Sequence, residues 1–216
     1  MCIRDRFSTV GATLLFGVFY ERTMFNSAYV SSKQSVSQAN GTVSNYISSI
    51  KNKLDNLCDE ADSCDSLQSL EKVVSTAARL EDDIYCVTIY DTDGNILLTE
   101  NDSGDIAKKN ATDLSFDKSI FSSLKDGYAI TQPHVDTLYE NKYPWVVTIA
   151  KKKYSDLFQK QVFVAVNFEF ISIAKYIDKI SIGQRGYCYI VDSKGGIVYH
   201  PVSYTHLRAH ETKANL

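Results

Sequence analysis

The chain has 216 residues, of which 44% are hydrophobic and 12% aromatic, and its formal net charge is −3. A chain of this length has room for one large domain or two small ones. A mildly acidic sequence without basic runs offers no surface that follows a phosphate backbone, so we expect no nucleic-acid partner.

Both ends of the chain, residues 1–6 and 202–216, are expected to be adapter-derived and non-native. Met1–Arg6 and Val202–His206 can be encoded by one DNA string read in opposite orientations. That string resembles the transposase end used to fragment DNA for sequencing, and Leu207–Thr212 resembles the adapter that follows it. A biological inverted repeat is the less favoured explanation. Because processing scars are excluded from fold reasoning, we treat the remainder as a gene fragment.

The apolar sequence of residues 7–20 predicts a partial transmembrane helix. The stretch "FSTVGATLLFGVFY" is uncharged and mostly apolar, but it is shorter than the about 20 residues that cross a bilayer. A buried core helix or the core of a signal peptide would give the same pattern. Because the chain turns polar at Glu21-Arg22 without a cleavage-like site, we favour an anchor that contacts the lipid bilayer.

Residues 21–62 predict a long stalk helix. Apolar residues recur there every seven positions, at Tyr29, Val36, Val43, Ile50 and Leu57. A thin apolar seam on a long polar helix is typical of a helix that packs along a partner or along its own domain. We therefore expect a continuous helix and, along it, a homodimer.

Two cysteines mark the end of this helix. Cys58 and Cys64 are expected in a polar loop, where they could close a disulfide in an extracytoplasmic segment or remain free thiols, and the sequence leaves both open. The stretch Asp65-Ser66-Leu67-Gln68 then resembles a capping box, which predicts a second helix.

Beyond Asp83 the hydrophobic period changes from helical to strand-like. The runs "IYCVTIYD" and "NILLTE" flank Asp91-Thr92-Asp93-Gly94, a hairpin turn signal. A short helix is predicted over residues 113–125, followed by the strand-like runs "YAITQPHV", "YPWVVTIAKKKY" and "QVFVAVNFEF". Helical spacing returns in "ISIAKYIDKI", and "GYCYIVDSKGGIVYH" predicts a second hairpin.

The two predicted hairpins have similar sequences. Tyr90–Leu97 matches Val191–Val198, and each reads as a strand, a tight turn with a glycine that accepts positive φ, and a returning strand. Helix, two strands, helix and three strands is the order of a PAS-like sheet. The sequence therefore predicts an α+β fold: the stalk helix, a PAS-like antiparallel five-stranded sheet with flanking helices, and the start of a second module.

The chain resembles the double Cache (dCache) sensor domains of bacterial transmembrane receptors, above all the extracytoplasmic parts of sensor histidine kinases. The resemblance is carried by "ITQPHVDTLYENKYPWVVTIAKK", "FVAVNFEFISIAKYI" and "GQRGYCYIVDSKGGIVYHP". It implies a membrane-distal Cache module over residues 63–180 and the truncated start of a membrane-proximal module over residues 181–201. It also implies a sensor domain outside the cytoplasm, anchored at the cell membrane.

The resemblance further implies that the distal module binds a small molecule between sheet and helices. Family members that bind amino acids carry an Asp-Arg-Pro-Trp-Tyr-like stretch, then Tyr-x-Asp, then Asp. The matching positions here are Asp117–Phe121, His134-Val135-Asp136 and Asn167. The candidate ligand-binding residues are Lys118, Phe121, His134, Asp136, Trp145 and Asn167. Trp145 also fits an ordinary core position, because it begins an apolar strand.

The departures from the family pattern change the expected ligand. Lys118 keeps a positive charge but lacks the planar guanidinium group with which arginine donates two hydrogen bonds to a carboxylate. Ile120 and Phe121 replace an indole and a phenol, and Asn167 lacks the full charge that would hold an ammonium group. We therefore expect a ligand that is less zwitterionic than an α-amino acid.

No catalytic residue, metal site or cofactor is expected. In the Asp91 loop, glycine stands fourth instead of sixth and Asp102 replaces the twelfth-position glutamate of an EF-hand. Outside the adapter-like ends only His134 and His200 are histidines, which is too few for a zinc site. Nucleophile-elbow, zincin and phosphate-loop motifs are absent from the sequence, so we expect no enzymatic activity in this fragment.

The sequence therefore predicts the ligand-sensing part of a membrane receptor, with a two-component sensor histidine kinase as the main interpretation and the kinase region missing. A chemotaxis receptor or a cyclic-dinucleotide synthase could carry the same sensor. A membrane-anchored adhesion protein is the alternative from a different class, and an extracytoplasmic hydrolase is disfavoured because no nucleophile or metal constellation is present.

Overall fold

The computed structural model describes residues 3–80, 83–105, 107, 124, 127–178, 186–191 and 195–200. Its helices are α1 (Ile3–Asp62), α2 (Leu67–Leu80) and α3 (Phe170–Asp178). Its strands are β1 (Ile84–Asp91), β2 (Ile96–Asn101), β3 (Tyr128–Ile130), β4 (His134–Val135), β5 (Trp145–Ser155), β6 (Lys160–Glu169), β7 (Ile190–Val191) and β8 (Ile197–Tyr199). The helix expected over residues 113–125 lies outside the described residues.

Helix α1 runs without a break for 60 residues, about 90 Å at the usual helical rise. The long N-terminal helix expected from the sequence is therefore confirmed. Its C-terminal part is buried against the domain through Ile50, Leu54 and Leu57, whereas earlier apolar side chains such as Leu15 and Phe25 are exposed. Within the part of the chain that the structure describes, no helix combines the length and apolar character needed to cross a membrane.

Helix α2 begins where the sequence predicts it. The Ser66 carbonyl accepts the first helical hydrogen bond, from Leu70 N at 3.1 Å, and the Ser66 hydroxyl accepts from Ser69 N at 3.3 Å. Ser66 is thus the capping residue that satisfies an otherwise unpaired amide. Cys58 lies in the last turns of α1 rather than in a loop, and both it and Cys64 are free thiols. Burial raises the pKa of the Cys58 thiol to about 11.

One antiparallel sheet follows the two helices. Its strand order is β2-β1-β6-β5-β3, and the short β4 also pairs with β5. The sheet has six strands rather than the five expected, because His134–Val135 forms a separate pair with the start of β5. The second predicted hairpin is present as β7 and β8, which form a two-stranded sheet.

The turn glycines of both hairpins have positive φ, 90° at Gly94 and 84° at Gly195, as the repeated sequence predicts. In the first turn Asp91 accepts hydrogen bonds from the amides of Asp93 and Asn95, each at 2.9 Å. Partial burial alone would raise the pKa of Asp91, but these bonds and Lys160 lower it to about 2. The loop is therefore held by its own carboxylate.

The sheet has two distinct faces because successive strand residues point to opposite sides. On the helix face, aliphatic side chains of β1, β5 and β6 pack against α1 and α2 in the main core. Phe168 is fully buried there, with its ring edge-on to Tyr46 of α1 at 5.7 Å between centroids. The opposite face, which carries Thr148, Asn167 and Cys86, is called the site face below.

Asp55 ties α1 to the sheet. Its carboxylate accepts hydrogen bonds from the Lys151 ammonium of β5 at 2.6 Å and from the Tyr128 hydroxyl of β3 at 2.5 Å. Partial burial alone would raise the pKa of Asp55, but the two donors outweigh it and lower the pKa below its ordinary value. One carboxylate therefore fixes the helix against two strands.

Asp55→Asn is expected to lower the free energy of unfolding by about 1 kcal/mol at pH 7, because the ion pair is partly solvent-screened. A group whose pKa is lowered on folding contributes stability above its ordinary pKa and loses it as the pH falls through the folded value. The difference between wild type and variant in urea unfolding should therefore shrink from pH 7 to pH 3. Asp59→Asn, one turn further on an exposed position, is the matched control and should change little. A difference independent of pH would contradict this role.

Candidate ligand-binding site

The site face carries three parallel rows of side chains that run across the strands. An aromatic row is formed by Lys152, Phe163, Tyr90 and Ile96. A row of small side chains follows, with Ala129, Ala150, Ala165, Thr88 and Thr99. A polar row contains Thr148, Asn167, Cys86 and Asn101. The face therefore carries large side chains at one end, including Lys152, small ones in the middle and hydrogen-bonding groups at the other end.

Residues 136–139, the crossing segment, pass over the polar end of the sheet. Asp136 begins the segment beside β5 and accepts from Asn167 Nδ2 of β6 at 2.6 Å. At its other end the Tyr139 hydroxyl lies 3.0 Å from the hydroxyl of Thr99 on β2. Leu138 and Tyr139 are fully buried. The segment thus crosses the sheet from the β5 side to the β2 edge and covers the polar row.

Asp136 is the centre of the polar network. Its carboxylate is fully buried and accepts the Leu138 amide at 2.8 Å in addition to Asn167. The Cys86 thiol lies 3.9 Å from the same carboxylate, and burial, followed by the charge of Asp136, raises the thiol pKa well above its ordinary value. Asn167 is held in turn, because the Thr148 hydroxyl donates to its carbonyl oxygen at 2.7 Å.

His134 stands at the margin of this network. Its Nδ1 lies 3.0 Å from the Gln132 carbonyl and 3.3 Å from the Thr131 hydroxyl, and its Nε2 lies 3.5 Å from the Thr148 hydroxyl. The Thr131 hydroxyl also accepts the Thr148 amide at 2.9 Å. The imidazole therefore contacts the same threonine that orients Asn167. Across the described ranges, no group of three acidic, histidine or cysteine side chains could hold a metal ion.

Comparison with known proteins gives no match to a protein-family model or to a curated protein. Solved structures do match. The sensory domain of the Campylobacter jejuni chemoreceptor Tlp3 (CcmL) with isoleucine bound shares 15% identity at a TM-score of 0.61, covering 91% of this chain and 81% of that chain. The ligand-binding domain of the Pseudomonas aeruginosa chemoreceptor PctC in complex with GABA shares 11% identity at a TM-score of 0.60, covering 78% and 73%.

A third structure, the ligand-binding domain of the Pseudomonas fluorescens chemoreceptor CtaA in complex with L-serine, shares 14% identity at a TM-score of 0.55, covering 74% of this chain and 68% of that chain. The chain has the fold of a chemoreceptor ligand-binding domain. The α+β, Cache-type architecture expected from the sequence is thereby confirmed: a long first helix, an antiparallel sheet and flanking helices.

Within this chemoreceptor-domain fold, the sequence-predicted site residues fall into three groups. His134, Asp136 and Asn167 are brought together around Thr148. Trp145 packs with the helix-face core, on the opposite side of the sheet from Asp136. Lys118 and Phe121 lie outside the described residues. The structure therefore brings three of the six predicted residues together and places Trp145 on the other face of the sheet.

The same fold adds residues that the sequence did not indicate. Thr148 and Thr88 are polar side chains in otherwise apolar strand runs, and that interruption was a usable signal. Tyr85 is different, because strict alternation along β1 would place it on the helix face beside Val87. A β-bulge between Ile84 and Cys86 shifts the register against β6. Tyr85 consequently packs with Cys86 and the crossing segment.

Proposed function

We propose that this chain is the ligand-binding part of a membrane signalling receptor. The observation that carries the proposal is the fully buried Asp136 carboxylate, held on the site face by Asn167 and by the crossing segment. A buried carboxylate is costly unless hydrogen bonds or a counter-charge offset its desolvation. Its placement in a chemoreceptor-domain fold supports a site where a ligand donates hydrogen bonds to it.

The ligand class follows from the charge of Asp136 and from the uncharged polar row beneath it. Asp136 favours a protonated amine or another N–H donor, whereas Asn167 supplies no second negative charge. The ligands named for the similar structures, isoleucine, GABA and L-serine, all contain an amino group. We propose a small organic amine, less zwitterionic than an α-amino acid, with its nitrogen at Asp136.

The test is a thermal-shift comparison of amino acids with their decarboxylated counterparts. L-isoleucine is paired with 2-methylbutylamine and L-serine with ethanolamine, with GABA as a further probe. A compound present at about one hundred times its Kd should raise Tm by roughly 5–10 °C. The amines are expected to give the larger shifts, and Asp136→Asn should abolish them while its circular dichroism stays native.

Two results would contradict the proposal. Larger shifts with L-isoleucine and L-serine than with their amines would exclude a non-zwitterionic ligand. Equal shifts in wild type and Asp136→Asn would show that the amines bind elsewhere.

The proposed output is that of a chemotaxis receptor. The similar structures reported above are chemoreceptor domains, which supports this alternative more than the sensor histidine kinase favoured by the sequence. A ligand changes signalling only by binding two receptor states differently. The full-length gene decides between the outputs: a long cytoplasmic coiled coil supports a chemoreceptor, and a histidine phosphoacceptor domain contradicts it.

The proposed partners also include the lipid bilayer and a second copy of the chain. Support comes from α1, where apolar side chains are exposed before the helix reaches the domain, including Phe16, Phe19 and Phe25. The region around residues 7–20 would contact lipid, and Tyr29 and Val36 would face the second copy. Flotation with phosphatidylglycerol vesicles and sedimentation equilibrium measure these contacts. A monomer that stays out of the vesicle fraction would contradict both.

A further inference from the structure

Tyr85 has a buried hydroxyl that no hydrogen bond satisfies among the described residues. Its side chain is only 7% exposed. An unpaired buried hydroxyl is less stable than a hydroxyl that hydrogen-bonds to water. Such a group is retained at a cost in stability, so its presence points to a partner that is supplied from outside the chain.

The bulge in β1 is what turns Tyr85 toward the candidate site. Strand β1 pairs with β6 at Ile84 opposite Phe168 and at Cys86 opposite Asn167, which leaves Tyr85 as the extra residue. A bulge of this kind redirects a side chain at the point where the pairing shifts. The ring of Tyr85 meets the Tyr139 ring edge-on at 5.9 Å between centroids. The phenol therefore lies under the crossing segment, beside the polar row.

The surroundings of Tyr85 define what it can do. Burial raises the pKa of the phenol well above its ordinary value, and the charge of Asp136 raises it further. The hydroxyl consequently stays protonated and remains a hydrogen-bond donor. The charges of Asp105 and Asp102 also raise the pKa of Tyr85, by less than the charge of Asp136 does. A ligand carboxylate would be repelled by the charge of Asp136, whereas a neutral ligand oxygen would not.

We propose that the Tyr85 hydroxyl donates a hydrogen bond to a neutral oxygen of the ligand whose nitrogen is held by Asp136. This inference rests on the proposed function and names the ligand class more closely: an amine that also carries a carboxamide or carbonyl oxygen. Asp136 then recognises the cation and Tyr85 recognises the acceptor. A site built to hydrogen-bond one substrate group discriminates strongly against analogues that lack it.

The test uses two probes that differ in the acceptor. L-isoleucinamide has the amine and a carbonyl oxygen, whereas 2-methylbutylamine has the amine alone. Isothermal titration calorimetry is expected to show that Tyr85→Phe weakens L-isoleucinamide binding about tenfold and leaves 2-methylbutylamine binding unchanged. The Tm of the ligand-free variant should stay equal or rise, because the substitution removes an unpaired polar atom.

Tyr128→Phe is the matched control, since it removes a phenol hydroxyl from the helix face, where Asp55 is its partner. It should lower Tm without changing the affinity for either probe. Equal L-isoleucinamide affinity in wild type and Tyr85→Phe would overturn the inference and leave the amine proposal intact. Failure of the wild-type protein to bind L-isoleucinamide would also overturn the inference. The thermal-shift comparison with Asp136→Asn tests the proposed function separately.

Discussion

Phe168→Ala is expected to lower the free energy of unfolding by about 3–5 kcal/mol. The side chain is fully buried on β6 and packs edge-on against Tyr46, so the truncation opens a cavity between the sheet and α1. Aliphatic neighbours such as Val147, directly across on β5, cannot fill a space of aromatic size without moving the backbone. Urea unfolding followed by circular dichroism measures the loss.

Phe25→Ala is the matched control for this prediction. Phe25 lies on α1 and is 73% exposed, so the same truncation removes no packed side chain from the domain. Its unfolding midpoint should stay within experimental error of wild type. Comparable losses for both substitutions would mean that the buried contact between β6 and α1 contributes little to stability.

Asp136→Ala is expected to lower the free energy of unfolding by about 2–3 kcal/mol. The substitution leaves the Leu138 amide and the Asn167 side-chain nitrogen without their acceptor inside a buried network. Each unsatisfied buried donor costs about 1–3 kcal/mol, and the relief of carboxylate desolvation offsets part of that sum. Urea unfolding at pH 7 measures the change.

Asp136→Asn separates the hydrogen bonds from the charge. The amide keeps the side-chain shape and the acceptor oxygen for Leu138 but places an NH2 group opposite the Asn167 nitrogen, so its loss of stability should be smaller than that of Asp136→Ala. Ligand binding should nevertheless fall, since the counter-charge for an amine is gone. An alanine variant as stable as the asparagine variant would show that Asp136 does not hold the crossing segment in place.

Much of the fold could be predicted from local sequence patterns. The caps, turn glycines and change of hydrophobic period placed α2, the first hairpin and the long strands correctly, because each depends on contacts between near neighbours. The run "YAITQPHV" was predicted as one strand, whereas the structure divides it into Tyr128–Ile130 and His134–Val135. His134–Val135 pairs with the start of β5, at Val146 and Trp145.

The candidate site could be predicted less completely. The family pattern indicated His134, Asp136 and Asn167, which the structure brings together although they are separated in sequence. Trp145 lies on the other face because it is adjacent to Val146, and neighbouring strand residues alternate in direction. The orientation of Tyr85 does not follow this alternation. A single inserted residue in the pairing reverses the side on which it lies, and nothing in the local pattern marks that insertion.

Helix α1 has a further mechanical consequence. Among its described side chains, from Thr9 onward, the first buried one is Ala39. The preceding arm, from Ile3 to that point, is about 54 Å long. A tilt of about 5° at Ala39 therefore moves Ile3 by about 5 Å. A small rotation of α1 at the domain therefore becomes a displacement about the size of a side chain at Ile3.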